Sequence, residues 1–225
     1  MQTKSVLMVG ATGLVGRQFL QLLLLNKRFH KVIVLGRKKT GLADPKLEEH
    51  EVDLLHLEPH KKLLRADVVV SCIGTTIKTA GSREAFSAVD LGIPDQLARL
   101  AYQNGARQCL VISSSGANVK SPFFYTRVKG QMEASVSAHA FSSVGIFRPS
   151  LLLGIRDRPR FGEAFAEKIL GAFGWLLVGP LKKYRAIHAS VVARAMVNAA
   201  HEGRPGVAIY ESDQIVDLAE QRHWY

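Results

Sequence analysis

Along the chain, short runs of apolar residues alternate with longer, helix-like stretches. The runs that read as strands are Val6–Val9, Lys31–Leu35, Glu48–Val52, Val68–Ile73, Gln108–Ser113, Ser143–Phe147 and Val207–Tyr210. Several are β-branched and apolar on both faces, as strands are when a parallel sheet is covered on both sides. Helices are expected between most of them, over Val15–Leu25, Ser82–Asn104 and Tyr125–His139. Such alternation with short connections predicts an α/β fold, a doubly wound parallel sheet with helices on both faces. In such a sheet ligands bind at the carboxyl ends of the strands, where the turn after the first strand lies.

Composition sharpens this picture. At 225 residues with 47% hydrophobic positions, the chain is long enough for one sizeable core. No Pro/Gly/Ser-rich linker divides it, so residues 1–225 read as one domain, with 151–190 contributing a small lobe over the substrate. The apolar stretches are too short to span a bilayer, and the first strand begins too early to leave room for a secretory leader, so the expected compartment is the cytoplasm. Cys72 and Cys109 sit in or beside strand-like runs and read as small buried hydrophobes, with no metal site. The net charge of +11 is scattered over Arg28–Lys31, Arg37–Lys39, Lys61–Lys62, Arg156–Arg160 and Lys182–Arg185, and no nucleic-acid motif accompanies it. It reads as solvated surface that also steers an anionic cofactor or substrate.

The strongest chemical signal is the turn Gly10-Ala11-Thr12-Gly13-Leu14-Val15-Gly16 between the first strand and the first helix. A helix start offers unpaired N–H groups and a positive dipole end to a pyrophosphate, and glycines let the backbone approach it. At the end of the second strand, where an NAD site usually carries a carboxylate, this chain has Arg37, followed by Lys38 and Lys39. A guanidinium there suits a 2′-phosphate, so the expected cofactor is NADPH, with Arg37 first and Lys38 second as its anchors. Asp53, after the third strand, is either an acceptor for the adenine amino group or a turn residue.

Tyr125 and Lys129, four residues apart, share one helix face behind a strand that ends in Ser113-Ser114-Ser115. A phenol with an ordinary pKa near 10 is a poor acid or base at neutral pH unless an ammonium favours its anion. A serine hydroxyl that holds a carbonyl oxygen while a tyrosine protonates it makes a reductase site.

Taken with Ser71-Cys72-Ile73-Gly74-Thr75-Thr76 and Phe147-Arg148-Pro149, these motifs resemble the short-chain dehydrogenase/reductases. More narrowly, they resemble the atypical, NADPH-binding branch that includes the Tat-interacting protein family. The resemblance implies a Rossmann-type fold with NADPH across the strand ends and a catalytic Ser-Tyr-Lys set. It carries over to Tyr125, Lys129 and one of Ser113–Ser115, with Ser114 first and Ser115 second. It places Cys72, Ile73, Gly74 and Thr75 along the cofactor, Lys129 on the nicotinamide ribose, and Arg148 with Pro149 on the nicotinamide side. Many members carry an asparagine on the fourth helix, where this chain has Asp90.

Beyond Ser150, the apolar residues of Phe161–Leu181 read as a lid over a lipophilic substrate, as core, or as a basic amphipathic surface for peripheral membrane contact. His188 starts a further helix, near the cleft by resemblance and a capping residue by pattern. The reading as a whole is an NADPH-dependent reductase of a carbonyl compound, acting as a monomer or small homo-oligomer. Its rival is an NADPH sensor that controls a partner without turnover.

Overall fold

The computed structural model describes residues 3–154 and 184–221. Seven strands form one sheet: β1 (Lys4–Val9), β2 (Phe29–Gly36), β3 (Leu47–Glu51), β4 (Val68–Ser71), β5 (Gln108–Ile112), β6 (Ser143–Arg148) and β9 (Gly206–Glu211). Their order is β3-β2-β1-β4-β5-β6-β9, and every pairing is parallel. The chain winds outward from β1 to β3, then returns to start β4 on the other side of β1. That reversal opens a crevice between β1 and β4 at their carboxyl ends, the place where α/β sheets take ligands. Two further short strands, β7 (Leu152–Leu153) and β8 (Ile187–His188), pair beside the main sheet.

Alternation along the strands makes two cores. Val6, Met8, Val32, Val34, Val68 and Val70 pack under α1 (Leu14–Leu25), α6 (Ala189–Glu202) and α7 (Ser212–Glu220). Leu7, Val9, Ile33, Leu35, Val69 and Val111 pack under α4 (Ile93–Gln103) and α5 (Phe124–Ala138). Neighbouring residues of one strand point to opposite faces, so a run apolar at every position is buried twice.

The helix expected over Ser82–Asn104 is broken. It divides into α3 (Arg83–Ser87), one π turn over Ala88–Gly92 and α4, with the short α2 (Ile77–Ala80) before it. Proline supplies the cause. Pro94 has no N–H for the carbonyl of Asp90 and crowds it, and the preceding N–H of Ile93 reaches back five residues to Ala88. The turn widens there and holds the Asp90 side chain fully buried.

Part of the positive charge is structural. Lys4 Nζ donates to the carbonyls of Ala200 and His201 at 2.7 and 3.0 Å, and Lys46 Nζ to those of Leu24 and Asn26 at 2.8 and 3.0 Å. Both lysines satisfy carbonyls at helix C-terminal ends, where the dipole favours a cation. The expected lid, Phe161–Leu181, lies outside the described residues.

Candidate active site

The glycine turn is shaped by close approach. Gly10 takes φ +81°, and a Cβ there would stand 2.6 Å from the carbonyl carbon of Cys72. A Cβ on Gly16 would meet the Gly10 oxygen at 2.0 Å, so the helix lies directly on the turn. Gly13 caps α1 with no side-chain hydrogen bond, and the first helical bond runs from Arg17 N to Gly13 O. The N–H groups of Leu14, Val15 and Gly16 therefore have no acceptor within the helix. Thr12 and Gly13 are exposed at the opening, whereas Val15 is buried beneath it.

The crevice is completed by β4 and the loop after it. Cys72 N still donates to Val9 O at 3.0 Å, after which Ile73, Gly74 and Thr75 leave the sheet. Burial pushes the Cys72 and Cys109 thiols up to about 12, so neither is a thiolate at neutral pH. Thr75 N donates to Asp90 Oδ2 at 2.9 Å, and Asp90 Oδ1 lies 2.8 Å from Lys129 Nζ in an ion pair without hydrogen-bond alignment. The pair is buried, and a Cβ on Gly74 would stand 3.8 Å from that carboxylate and 4.0 Å from that ammonium. Lys129 thus reaches the loop after β4, but with a carboxylate beside it that offsets its charge.

Tyr125 lies in the first turn of α5, 37% exposed, with its ring 5.5 Å from that of Phe86. Among the described residues its hydroxyl makes no hydrogen bond. Two features hold α5 in place. A Cβ on Gly130 would fall 2.3 Å from the carbonyl carbon of Asn118, so the loop after β5 crosses the helix in contact with its backbone. The same loop is tied down by Asn118 N to Thr126 O at 3.0 Å and by Arg127 to Ser121 O at 2.8 Å. The serines start this loop. Ser113 N and Ser115 N donate to Phe147 O and Pro149 O at 2.7 and 3.1 Å, while the buried Oγ atoms of Ser113 and Ser114 have no partner. An orphaned buried hydroxyl is costly unless something accepts from or donates to it.

Other expected residues fall as follows. Arg37 and Lys38 are exposed at the end of β2, and their side chains make no hydrogen bond or ion pair among the described residues. Asp53 is held in a turn: His56 and the N–H of Leu55 engage its carboxylate at 2.8 and 3.0 Å and hold its pKa below the ordinary value. Arg148 is held by carboxylates of α5 and β9. It forks onto both oxygens of buried Glu133, at 2.9 and 2.5 Å, and reaches Glu211 at 3.2 Å, so charge pairing on the scaffold occupies its guanidinium. Pro149 acts through its carbonyl on the serine loop. His188 is the exposed N-cap residue of α6 and makes no side-chain cap bond.

The chain's residues fit a nicotinamide dinucleotide. A glycine turn that a Cβ would fill, a helix start with open N–H groups and two uncommitted cations at the neighbouring strand end match pyrophosphate and ribose. Among the described residues no cluster of His, Cys, Asp or Glu suits a metal.

Comparison with known proteins agrees with this. The sequence profile of the NAD dependent epimerase/dehydratase family matches residues 6–217. Protein FMP52, mitochondrial, of Candida albicans is 33% identical over 227 residues, spanning 96% of this chain and 98% of its own. Protein HTATIP2 of Rattus norvegicus is 34% identical over 202 residues, 88% of this chain and 81% of its own. The solved dTDP-glucose 4,6-dehydratase DesIV of Streptomyces venezuelae, with NAD and TYD bound, superposes at a TM-score of 0.70 and 17% identity, over 96% of this chain and 80% of that one. At that identity the likeness is one of fold. The Candida relative and its counterparts in Lodderomyces elongisporus and Emericella nidulans are all named mitochondrial, which overturns the expected cytoplasmic location. That expectation rested on reading no secretory leader into the sequence, a reading that bears on secretion and not on other destinations.

Proposed function

The chain belongs to the NAD dependent epimerase/dehydratase family, whose cofactor is a nicotinamide dinucleotide, and from this we propose that it is a mitochondrial NADPH-dependent reductase of a carbonyl compound. The observation that carries the proposal is the grouping at the carboxyl edge of β4 and β5. There, an unbonded Tyr125 hydroxyl and orphaned serine hydroxyls stand on the loop and helix that bring Lys129 to Gly74.

The bound cofactor supplies a hydride for the carbonyl carbon. Ser114, or Ser115 beside it, donates a hydrogen bond to the carbonyl oxygen and orients it. Tyr125 donates its phenolic proton to the same oxygen as negative charge builds there. Lys129 holds the ribose hydroxyls near Gly74. Leu14, Val15 and Gly16 present their N–H groups to the pyrophosphate, and Arg37 with Lys38 pairs with the 2′-phosphate. An arginine and a lysine where a carboxylate would favour NAD support the preference for NADPH.

NADPH consumption over a panel of aldehydes, ketones and quinones tests the proposal. Tyr125→Phe is expected to lower turnover by about a hundredfold while leaving NADPH affinity nearly unchanged. A panel without turnover, or a variant that retains it, refutes the reductase reading.

A further inference from the structure

Asp90 occupies an unusual position for a carboxylate. It is fully buried in the single π turn of the molecule's described helices, and it bridges two elements that both face the crevice. One oxygen accepts from Thr75 N in the loop after β4, and the other meets Lys129 Nζ of α5 at 2.8 Å. Gly74 lies beside both members of the pair, which would be in ordinary contact with a Cβ there at 3.8 and 4.0 Å. The Pro94-driven widening of the helix is what brings this side chain inward.

We propose that Asp90 is a positioning residue with an electrostatic task. It fixes the Lys129 ammonium against the cofactor loop and cancels that charge, so the site accepts the cationic oxidised nicotinamide as readily as the neutral reduced one. The proposal rests on the dinucleotide reading above. An isolated buried ammonium beside the loop would repel the oxidised ring and favour the reduced cofactor, and product release after each hydride transfer would be biased accordingly. Charges placed this way act strongly because both side chains are buried and water screens them little. With the carboxylate at 2.8 Å, the pair presents a dipole instead of a net charge.

The test is the ratio of affinities for NADP+ and NADPH, measured by titration on the intact chain without any substrate. Asp90→Asn, which keeps shape but removes charge, is expected to weaken NADP+ relative to NADPH by about tenfold. Lys129→Met leaves the carboxylate uncompensated and is expected to move the ratio about tenfold the other way. The double variant removes both charges and returns the ratio to the wild-type value, even if both affinities fall. A purely structural role weakens both forms equally, and an unchanged ratio in the two single variants overturns the proposal. If Asp90→Asn does not fold, an unchanged ratio in Lys129→Met is sufficient to overturn it. A wild-type chain that binds neither form refutes the dinucleotide reading and the proposal together, whereas wild-type binding with an unmoved ratio refutes only the role of Asp90.

Discussion

Gly130→Ala isolates what holds α5, the helix of Tyr125 and Lys129, in place. The added methyl would lie 2.3 Å from Asn118 C, 2.4 Å from Val119 N and 2.7 Å from Asn118 Cα, all backbone atoms with no rotamer to give way. Ordinary contact begins near 3.4 Å, so helix and loop must part by about 1 Å. Overpacking of this kind costs about 3 kcal/mol, the upper end of the usual range because nothing flexible absorbs it. For a chain of this size that lowers the melting temperature by about 6–12 °C. Tyr125 rides on the same helix, and a displacement of about 1 Å at a reacting group reduces turnover by about a hundredfold. Cofactor affinity is expected to fall far less, because the glycine turn lies on the other side of the crevice. Gly92→Ala is the control: its Cβ would meet only Ser87 O, at 3.9 Å, and its backbone is already helical. It should stabilise the fold by about 0.5 kcal/mol. Differential scanning fluorimetry with NADPH-linked turnover measures both effects. A Gly130→Ala protein that melts within about 1 °C of wild type refutes the close-packing argument.

Three further outcomes are expected. Arg37→Ala should weaken NADPH binding at least tenfold while leaving NADH binding nearly unchanged, and equal losses in a fluorescence titration would remove the 2′-phosphate assignment. Arg148→Met leaves buried Glu133 without its partner and should cost about 3 kcal/mol in urea unfolding with cofactor affinity intact; loss of NADPH binding at normal stability would return Arg148 to the cofactor site. The carboxylate of Asp67 is opposed by its burial, but the N–H and hydroxyl of Ser5, with His30 and Lys4 nearby, outweigh this and hold its pKa below the ordinary value. Its contribution is therefore present above the unfolded pKa, near 3.8, and is lost as pH falls through the depressed folded value. Asp67→Asn should cost about 1 kcal/mol at neutral pH and flatten that part of the acid limb, which unfolding measured from pH 6 to 2 would show.

The central strands β1, β2 and β4 were readable because doubly buried strands leave consecutive β-branched residues, and all seven strands lie within a few positions of their expected spans. The glycine turn was readable because its spacing is dictated by backbone approach alone. Features that depend on tertiary partners were not. The π turn escaped because Pro94 still allows a helical pattern on both sides of it. The resemblance implied a place for Arg148 on the nicotinamide side, and its ion-pair partners Glu133 and Glu211, 15 and 63 residues away, could not be read from the sequence. Helix α7 went unread, although its capping box, Glu211 with Gln214, was there to be found. Gly130, directly after Lys129, was the one local sign that a loop had to cross α5, and its meaning becomes clear only once Asn118 is seen against it.

The contacts of β1 carry a consequence for how the molecule comes together. Lys4 in that strand is anchored on the carbonyls of Ala200 and His201, and its neighbour Ser5 on Asp67. β1 also acquires its second sheet partner only with Val68–Ser71. During folding, β1 must therefore wait for much of the chain that follows it before these contacts and its far edge are in place. Contacts this distant in sequence slow folding and leave an apolar strand exposed meanwhile. The rate at which the fold is completed should therefore be set by the far-reaching partners of β1, and not by the chemistry at the carboxyl end of the sheet.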